Sequence, residues 1–166
     1  NKEKDQTIFS AYKNQYEFQS ILRKFLNYEF RQVINELEIL KKNTYQKNYV
    51  YFIDSLILYC YNLTDQPLTM LRLLNEGEYK VSRTRQMILR LEASLLTKDY
   101  KQYYQIMNEV SEIKKENFTL FNQFVICYCE CFYSALRNKK KKFKVKFNKL
   151  MNMSTEYDYG NYLCFR

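Results

Sequence analysis

Apolar residues recur every three or four positions along most of this chain, the spacing that places them on one face of an α-helix. The first segment with this pattern covers residues 7–26, and the second covers residues 30–42. The second segment ends in Lys41 and Lys42, where positive charges interact favourably with the negative end of a helix dipole. Together the two segments predict antiparallel helices joined by a short turn, a helical hairpin.

The same spacing predicts three more hairpins further along the chain. Pro67 suits the first turn of a helix and Gly77 suits the position just after its last turn, so they mark the ends of one predicted helix. Thr64 or Asp65 is expected to cap the start of this helix, and Ser82 is expected to cap the next one. The predicted pairs are 48–62 with 67–77, 82–96 with 100–115, and 117–135 with a helix that follows the basic segment RNKKKK.

A short pattern of one polar residue, two apolar residues and an asparagine returns in the second helix of each predicted hairpin. It occurs in QVINELEILKK at 32–42, RLLNEG at 72–77, QIMNEVSEIKK at 105–115 and KLMNMS at 149–154. Successive asparagines are 40, 33 and 44 positions apart, which brackets the roughly 34-residue unit of tetratricopeptide repeats. The sequence therefore predicts a degenerate tetratricopeptide-like α-solenoid, in which stacked hairpins bury the faces that each leaves uncovered. A helical bundle without repeats is the alternative.

Composition supports the same all-α class. The 166 residues include only two glycines and one proline, although average usage would give about a dozen and about eight. Because tight turns between strands need these residues, their scarcity favours helices joined by short, undemanding turns. With 46% hydrophobic residues, the chain has enough apolar surface for one folded domain over residues 1–166. Since the first residue is asparagine, we expect this domain to be a fragment of a longer chain.

The residue types that most catalytic sites need are missing. The chain has no histidine, which excludes the usual catalytic triads and most zinc sites. Its two isolated glycines cannot form a phosphate-binding loop or a dinucleotide-binding motif. We therefore expect no enzymatic activity and no cofactor. The longest apolar stretches are interrupted by Asp54 and Glu130 and are too short to span a membrane, so we expect no membrane association.

The five cysteines include no CxxC pair, so they indicate neither a disulfide framework nor a zinc site, and they favour a reducing cytoplasm. Three of them lie close together in CYCEC. On a helix Cys127 and Cys131 share a face while Cys129 points away, which is poor geometry for one metal ion. We expect Cys127 and Cys131 to be small buried apolar residues, and we expect no metal site.

Two further features leave their interpretation open. The segment KKKKFKVKFNK, residues 139–149, holds seven lysines in a chain of net charge +9. It could contact phosphates or an acidic protein surface, but a solvated turn between helices is the favoured interpretation.

The seventeen tyrosines include the cluster Tyr100, Tyr103 and Tyr104. They suit the wall of a peptide-binding groove, or they reflect an AT-rich genome.

Polar side chains on the first helix of each hairpin are the candidates for ligand binding, because these helices usually line the concave groove of a solenoid. Amide groups can bond both the N–H and the C=O of a peptide backbone, and arginine can hold a carboxylate. The peptide-binding residues predicted in this way are Asn48, Arg83, Gln86, Arg90, Asn122 and Gln123, with Arg85 beside them.

Three stretches resemble the C-terminal part of Rgg-type regulators, within the peptide-pheromone receptors of Gram-positive bacteria. They are FQSILRKFLNYEFRQVINELEILKK near the start, KDYKQYYQIMNEVSEIKKENFTLFNQFVICYCECFYSALRN, and FNKLMNMSTEYDYGNYLCF at the end. The resemblance implies a tetratricopeptide-like sensing domain of a cytoplasmic transcriptional regulator, which binds a short signalling peptide and forms a homodimer. DNA would then be bound only through a helix-turn-helix domain that is absent from this chain.

A second resemblance leads to a different function. The stretch LRLEASLLTKDYKQYYQIMNEV, followed by a long aromatic helix, is similar to the helical repeats of proteasome-lid and related PCI proteins. This resemblance implies a scaffold subunit that binds another protein in a complex. A sensor is expected to bind a short hydrophobic peptide, whereas a scaffold is expected to have a large protein interface.

Overall fold

A computed structural model describes residues 16–44 and 47–156, and in these residues the chain forms helices and no β-strand. The prediction of an all-α chain is confirmed. The predicted helical residues 7–15 lie outside the described residues, as do the side chains of Lys47 and Asn48. The helices are α1 over residues 16–26, α2 Phe30–Lys42, α3 Lys47–Leu63, α4 Pro67–Glu76, α5 Arg83–Leu96, α6 Tyr100–Glu112, α7 Leu120–Leu136 and α8 Lys140–Glu156.

The predicted helix ends hold at α5 and at the end of α4. The hydroxyl of Ser82 accepts a hydrogen bond of 3.2 Å from the backbone N–H of Arg85, as expected of an N-terminal cap. Gly77 follows α4 with φ of 72°, a left-handed conformation that glycine adopts without steric cost. Capping chemistry therefore predicts these two boundaries from the sequence alone.

Two other predicted helix starts were wrong. Gln66, rather than Thr64 or Asp65, precedes α4, because the Thr64 hydroxyl donates to the Cys60 carbonyl and so closes α3 instead. The last strong helix begins at Leu120 and not at Asn117, because Lys115–Asn117 form a 3₁₀ turn. Thr119 is the true cap, and its hydroxyl accepts a 3.2 Å hydrogen bond from the N–H of Asn122.

The four turns within the hairpins share one backbone geometry. Each turn has three residues between the two helices, and its middle residue has positive φ. These middle residues are Tyr28, Asp65, Lys98 and Asn138, with φ of 64°, 54°, 59° and 50°. They follow one another at intervals of 37, 33 and 40 residues. The turns are short, as predicted, but they are not undemanding, because side chains other than glycine rarely adopt this conformation.

Backbone hydrogen bonds close three of these turns in the same way. The N–H after the left-handed residue donates to the carbonyl five positions earlier in the α1–α2, α3–α4 and α7–α8 turns. The three bonds measure 3.0, 2.9 and 2.8 Å, from Glu29 to Lys24, Gln66 to Tyr61 and Lys139 to Ser134. This is the Schellman closure of a helix end. A local backbone motif therefore ends the first helix and directs the chain into the second.

The helices pack both within and between hairpins. α3 contacts α2 and α4, α5 contacts α6, and α7 contacts α8. In addition α5 contacts α3, α4 and α7, so the first helices α3, α5 and α7 lie next to one another in that order. One cluster of buried side chains lies around α1, α2 and α3, and a larger cluster extends from α3 to α8. No helix of the described part is long and apolar enough to cross a membrane.

The sequence pattern that recurs in the second helices has a consistent structural meaning. Its first apolar residue is always buried, and these residues are Val33, Leu73, Ile106 and Leu150. Its asparagine is always exposed, and these residues are Asn35, Asn75, Asn108 and Asn152. The pattern therefore marks the boundary between the buried and the solvated face of each second helix.

One buried ion pair connects α2, α3 and the segment before α5. Asp54 on α3 is only 1% exposed, and its carboxylate lies 2.5 Å from the ammonium of Lys41 on α2. The other carboxylate oxygen accepts a 2.7 Å hydrogen bond from the backbone N–H of Lys80. The Lys41 ammonium also lies 4.3 Å from the centre of the Tyr79 ring. The charge that interrupts this apolar stretch in the sequence is therefore paired inside the fold.

Candidate functional site

A cavity of about 540 Å³ lies between α6, α7 and α8. This volume is within the range of about 300–1,000 Å³ that is typical of small-ligand sites. We call it the tyrosine–lysine pocket, because tyrosines form one wall and lysines form the other. Its lining residues are Tyr103, Tyr104, Met107, Glu130, Tyr133, Ser134, Lys139, Lys141, Lys142, Val145 and Lys146.

Three tyrosine rings form the apolar wall of the pocket. The rings of Tyr103 and Tyr133 are buried and stack with a centroid distance of 4.4 Å and an interplanar angle of 15°. Tyr104 meets both rings edge to face, and its hydroxyl forms a 2.5 Å hydrogen bond with the hydroxyl of Tyr133. Since Tyr104 is 48% exposed, its ring and hydroxyl are the part of this wall that a ligand can reach.

The three phenols differ in pKa because their surroundings differ. Burial raises the pKa of Tyr103 and of Tyr133 above the ordinary value, because the charged phenolate loses water. The pKa of Tyr104 is lowered, first by its hydrogen bond with Tyr133 and then by the positive charges of Lys139, Arg137 and Lys142. The nearby lysine and arginine charges give the exposed end of the wall a positive field, which adds to the effect of the hydrogen bond.

Lysines supply that field from the turn before α8, which contains Lys139, and from the first two turns of α8. Lys139, Lys141, Lys142 and Lys146 line the pocket together with a single acidic residue, Glu130, so the formal charge of the lining is +3. Glu130 lies 2.6 Å from the ammonium of Lys146. The other three lysines make no ion pair with any described residue. An anion is therefore the complementary ligand.

This placement corrects one part of the interpretation of the lysine run as a solvated turn: most of the run is helical, although its lysines are largely exposed to solvent as expected. The turn between α7 and α8 comprises residues 137–139 only, and six of the seven lysines lie within α8. The reason is the closure at Asn138, which ends α7 and lets a new helix begin at Lys140. Four lysines of the run face the pocket, whereas Lys140, Lys144 and Lys149 do not line it.

The structure places three of the predicted peptide-binding residues in a different cavity. Arg83, Gln86 and Arg90 border a polar cavity of about 310 Å³ between α5 and α6. The Gln86 amide donates a 3.2 Å hydrogen bond to the Val81 carbonyl. The Arg90 guanidinium donates a 2.6 Å hydrogen bond to the side-chain oxygen of Asn75. Two of these three side chains therefore already stabilise the hairpins.

The other predicted residues lie away from this cavity. Asn122 and Gln123 are in the first turn of α7, and the Gln123 amide donates a 3.0 Å hydrogen bond to the Phe118 carbonyl. Asn48 lies in α3, and its side chain is outside the described residues. The structure thus brings together Arg83, Gln86 and Arg90 and separates Asn122 and Gln123 from them.

Arg85 connects the three first helices more directly than its predicted neighbours do. Its Nε donates a 2.8 Å hydrogen bond to the hydroxyl of Ser55 on α3. Its guanidinium lies 5.4 Å from the centre of the Tyr59 ring on α3 and 5.8 Å from that of Phe121 on α7. One side chain of α5 therefore bridges α3 and α7 by a hydrogen bond and cation–π contacts.

The cysteines of the described part are all buried. Cys60, Cys127, Cys129 and Cys131 have free thiols, which confirms the expectation for Cys127 and Cys131. Cys127 Sγ lies 3.6 Å from the Lys146 carbonyl on α8. No group of three potential metal-ligating residues occurs among the described residues. Burial raises the pKa of all the thiols for which a shift is resolved, that of Cys60 to about 12.

We expect these four thiols to resist modification while the domain is folded. The thiolate is the reactive form, and the fold stabilises the neutral thiol of Cys60 because its pKa rises from 9.0 to about 12. That stabilisation is complete below pH 9 and is lost as the pH rises towards 12. At pH 8, reaction with a chromogenic disulfide should be at least about 100-fold slower than in urea. The measurement uses a Cys164→Ser variant, so that only the four buried thiols can react. Rapid modification of any of these four thiols in the folded domain would contradict their burial.

The residues of the pocket were visible in the sequence, but their proximity was not. The lysine run, the Tyr100–Tyr104 cluster and the interrupting Glu130 each stood out separately. They come together only because α8 folds back along α7 and places its lysines next to α6. The sequence contained one indication that α7 and α8 lie side by side. Glu130 is a charged residue inside an apolar helix, and Lys146, its partner in the structure, follows sixteen residues later.

No protein-family model, curated protein or solved structure matches this chain.

Proposed function

We propose that this chain is a helical-repeat binding domain that takes up a short peptide and seats an acidic group of that peptide in the tyrosine–lysine pocket. The observation that carries this proposal is the pocket itself, with about 540 Å³ of space, a formal charge of +3 and an exposed tyrosine at its wall. Aromatic surface supplies apolar contact area, and cations fix the position of an acidic group.

The repeated hairpin geometry supports a tetratricopeptide-like arrangement for this domain. Four turns with the same left-handed residue recur at intervals of 37, 33 and 40 residues, close to the length of a helical repeat. The first helices α3, α5 and α7 contact one another in order, and Arg85 links all three. Stacked hairpins of this kind form extended surfaces that bind peptides and proteins.

The wider role we propose is that of a sensing domain in a cytoplasmic transcriptional regulator. The resemblance to Rgg-type regulators supports this role, and the size of the pocket suits part of a short signalling peptide. Dimerisation would be mediated by the same domain, and DNA would be bound through a separate helix-turn-helix domain.

An exposed apolar face on α8 supports the second candidate function, a scaffold subunit in a protein complex. Phe147 and Met151 are 42% and 41% exposed and lie four residues apart, on one face of the last described helix. Apolar residues that cluster on a surface commonly mark contact with another protein. In a scaffold, such a contact would extend the stack of helices into the partner.

Thermal melting with a pool of short hydrophobic peptides tests the primary proposal. Each peptide is supplied with a free C-terminal carboxylate and as its amide. At about 100 times its dissociation constant, a bound peptide should stabilise the fold by about 2.7 kcal/mol, which corresponds to a rise of roughly 5–10 °C. The carboxylate form should give the larger rise, because the amide removes the charge that the lysines attract.

Paired lysine variants provide the control for this measurement. Lys141→Gln/Lys142→Gln should reduce the shift, whereas Lys140→Gln/Lys144→Gln removes the same charge from residues outside the pocket lining and should preserve it. If no peptide raises the midpoint of the folded domain, peptide binding is contradicted. A protein pull-down would then test the scaffold function.

A further inference from the structure

We infer that the acidic group recognised by the tyrosine–lysine pocket is a phosphate monoester. This inference rests on the proposed function and specifies the chemistry of the same site. Lys139, Lys141 and Lys142 line the pocket without an ion-pair partner among the described residues. A carboxylate would neutralise one of these three charges, whereas a phosphate monoester carries about −1.5 to −2 at pH 7.

The position of the lysines in α8 strengthens this argument. The N-terminal end of a helix carries partial positive charge, so lysines there are destabilising and acidic residues are favoured. α8 nevertheless begins with Lys140, Lys141 and Lys142, and its first turn contains no acidic residue. A sequence that goes against the preference of helix N-termini for acidic residues is expected at functional sites. A phosphate relieves both the mutual repulsion of the lysines and their conflict with the helix dipole.

The type of cation is compatible with phosphate. Arginine offers a planar pair of donors that matches carboxylate and phosphate alike, and lysine binds phosphate as a compact point charge. All four cations of the pocket lining are lysines. The Tyr104 hydroxyl lies at the exposed edge of the same cavity and adds a potential donor.

Glu130 limits where the anion can sit. Its carboxylate pairs with Lys146, at a distance of 2.6 Å, and occupies the part of the pocket next to α7. A phosphate is repelled from this carboxylate and attracted to the start of α8. The phosphate therefore belongs near Lys139, Lys141 and Lys142, and the group that carries it extends over Tyr104.

Calorimetric titration with matched peptides tests the inference. The probes are acetyl-Leu-X-Leu-amide with serine, glutamate or phosphoserine at X. We expect the phosphoserine peptide to bind at least about tenfold more tightly than the glutamate peptide, a difference of roughly 1.4 kcal/mol. Equal affinity of these two peptides overturns the phosphate inference and leaves the proposed function intact. Absence of binding by both of them overturns both.

A phenyl phosphate titration distinguishes the source of the phosphate group. Tighter binding of the phosphoserine peptide assigns the site to a phosphorylated peptide, and tighter binding of phenyl phosphate assigns it to a small phosphorylated molecule. Both outcomes support recognition of a phosphate monoester. The Lys141→Gln/Lys142→Gln variant should weaken the tighter phosphate probe at least about tenfold. The Lys140→Gln/Lys144→Gln variant should retain its affinity, and an equal loss in both variants contradicts binding in the pocket.

The pH dependence of binding gives an independent readout. The second ionisation of a phosphate monoester has a pKa of about 6, so affinity for phosphoserine should fall between pH 7 and pH 5. The chain contains no histidine, and the ionisable groups facing the pocket are three tyrosines, four lysines and Glu130. The glutamate peptide should show little change over the same range, because its carboxyl pKa is near 4.3. Parallel pH profiles for the two peptides would contradict the inference.

Discussion

Replacing Phe124 by alanine is expected to lower the free energy of unfolding by about 4 kcal/mol, because the removal of a fully buried phenyl ring leaves a cavity. Phe124 has 0% exposure and belongs to the larger buried cluster, on the helix that contacts both α5 and α8. For a domain of this size, the loss corresponds to a decrease in melting midpoint of roughly 8–16 °C. Urea unfolding followed by circular dichroism measures it directly.

Phe147→Ala is the matched control for that measurement. The same side chain is removed, but Phe147 is 42% exposed and its ring stacks on Phe143 of its own helix, at 5.5 Å. The expected loss is about 1 kcal/mol. Equal losses of stability in the two variants would contradict the full burial of Phe124 in the larger cluster.

Breaking the Lys41–Asp54 ion pair is the second change with a large expected effect. Asp54→Leu leaves the Lys41 ammonium and the Lys80 amide without the carboxylate that both contact, and Lys41→Met leaves a carboxylate that is only 1% exposed. Loss of one partner of a buried pair typically costs about 3–5 kcal/mol. We expect Lys41→Met to be the more severe variant, because it leaves a buried carboxylate without its cation. In Asp54→Leu the Lys41 side chain, which is 22% exposed, can turn towards solvent.

A double-mutant cycle separates the ion pair from the burial of each residue. The Lys41→Met/Asp54→Leu variant removes both charges, so its loss should be smaller than the sum of the single losses by at least about 1 kcal/mol. Equilibrium unfolding in urea gives all four values on one scale. Strict additivity would show that the two side chains act independently, in conflict with their 2.5 Å contact.

The helices could be predicted from the sequence because each buries one face, and burial leaves a three- to four-residue period. The start of α5 could be predicted as well, because the capping chemistry of Ser82 is local. The conformation of the closing turns could not, because positive φ at a tyrosine or a lysine, as at Tyr28 and Lys98, leaves no compositional signal. Scarcity of glycine indicated the helical class correctly, although the turns take the conformation that glycine would favour.

The candidate site lay beyond sequence reasoning for a geometric reason. Tyr104 and Lys141 are separated by more than one repeat unit, and their side chains line one cavity only because α8 reverses direction after Asn138. The predicted residues Gln86, Arg90 and Gln123 have the right polar groups on the first helices. Their amide and guanidinium donors bond groups of this chain, which no spacing pattern indicates.

The three-residue turns have a consequence for how this chain folds. Each turn brings helices that are neighbours in sequence into an antiparallel arrangement, and its closure uses backbone groups within a few residues of one another. The entropy lost in closing such short loops is small. Contacts between helices close in sequence keep the contact order low, and helical domains of low contact order are among the fastest to fold. A hairpin can therefore form while the remainder of the chain is still being synthesised, before the distant lysines of α8 reach the tyrosines of α6.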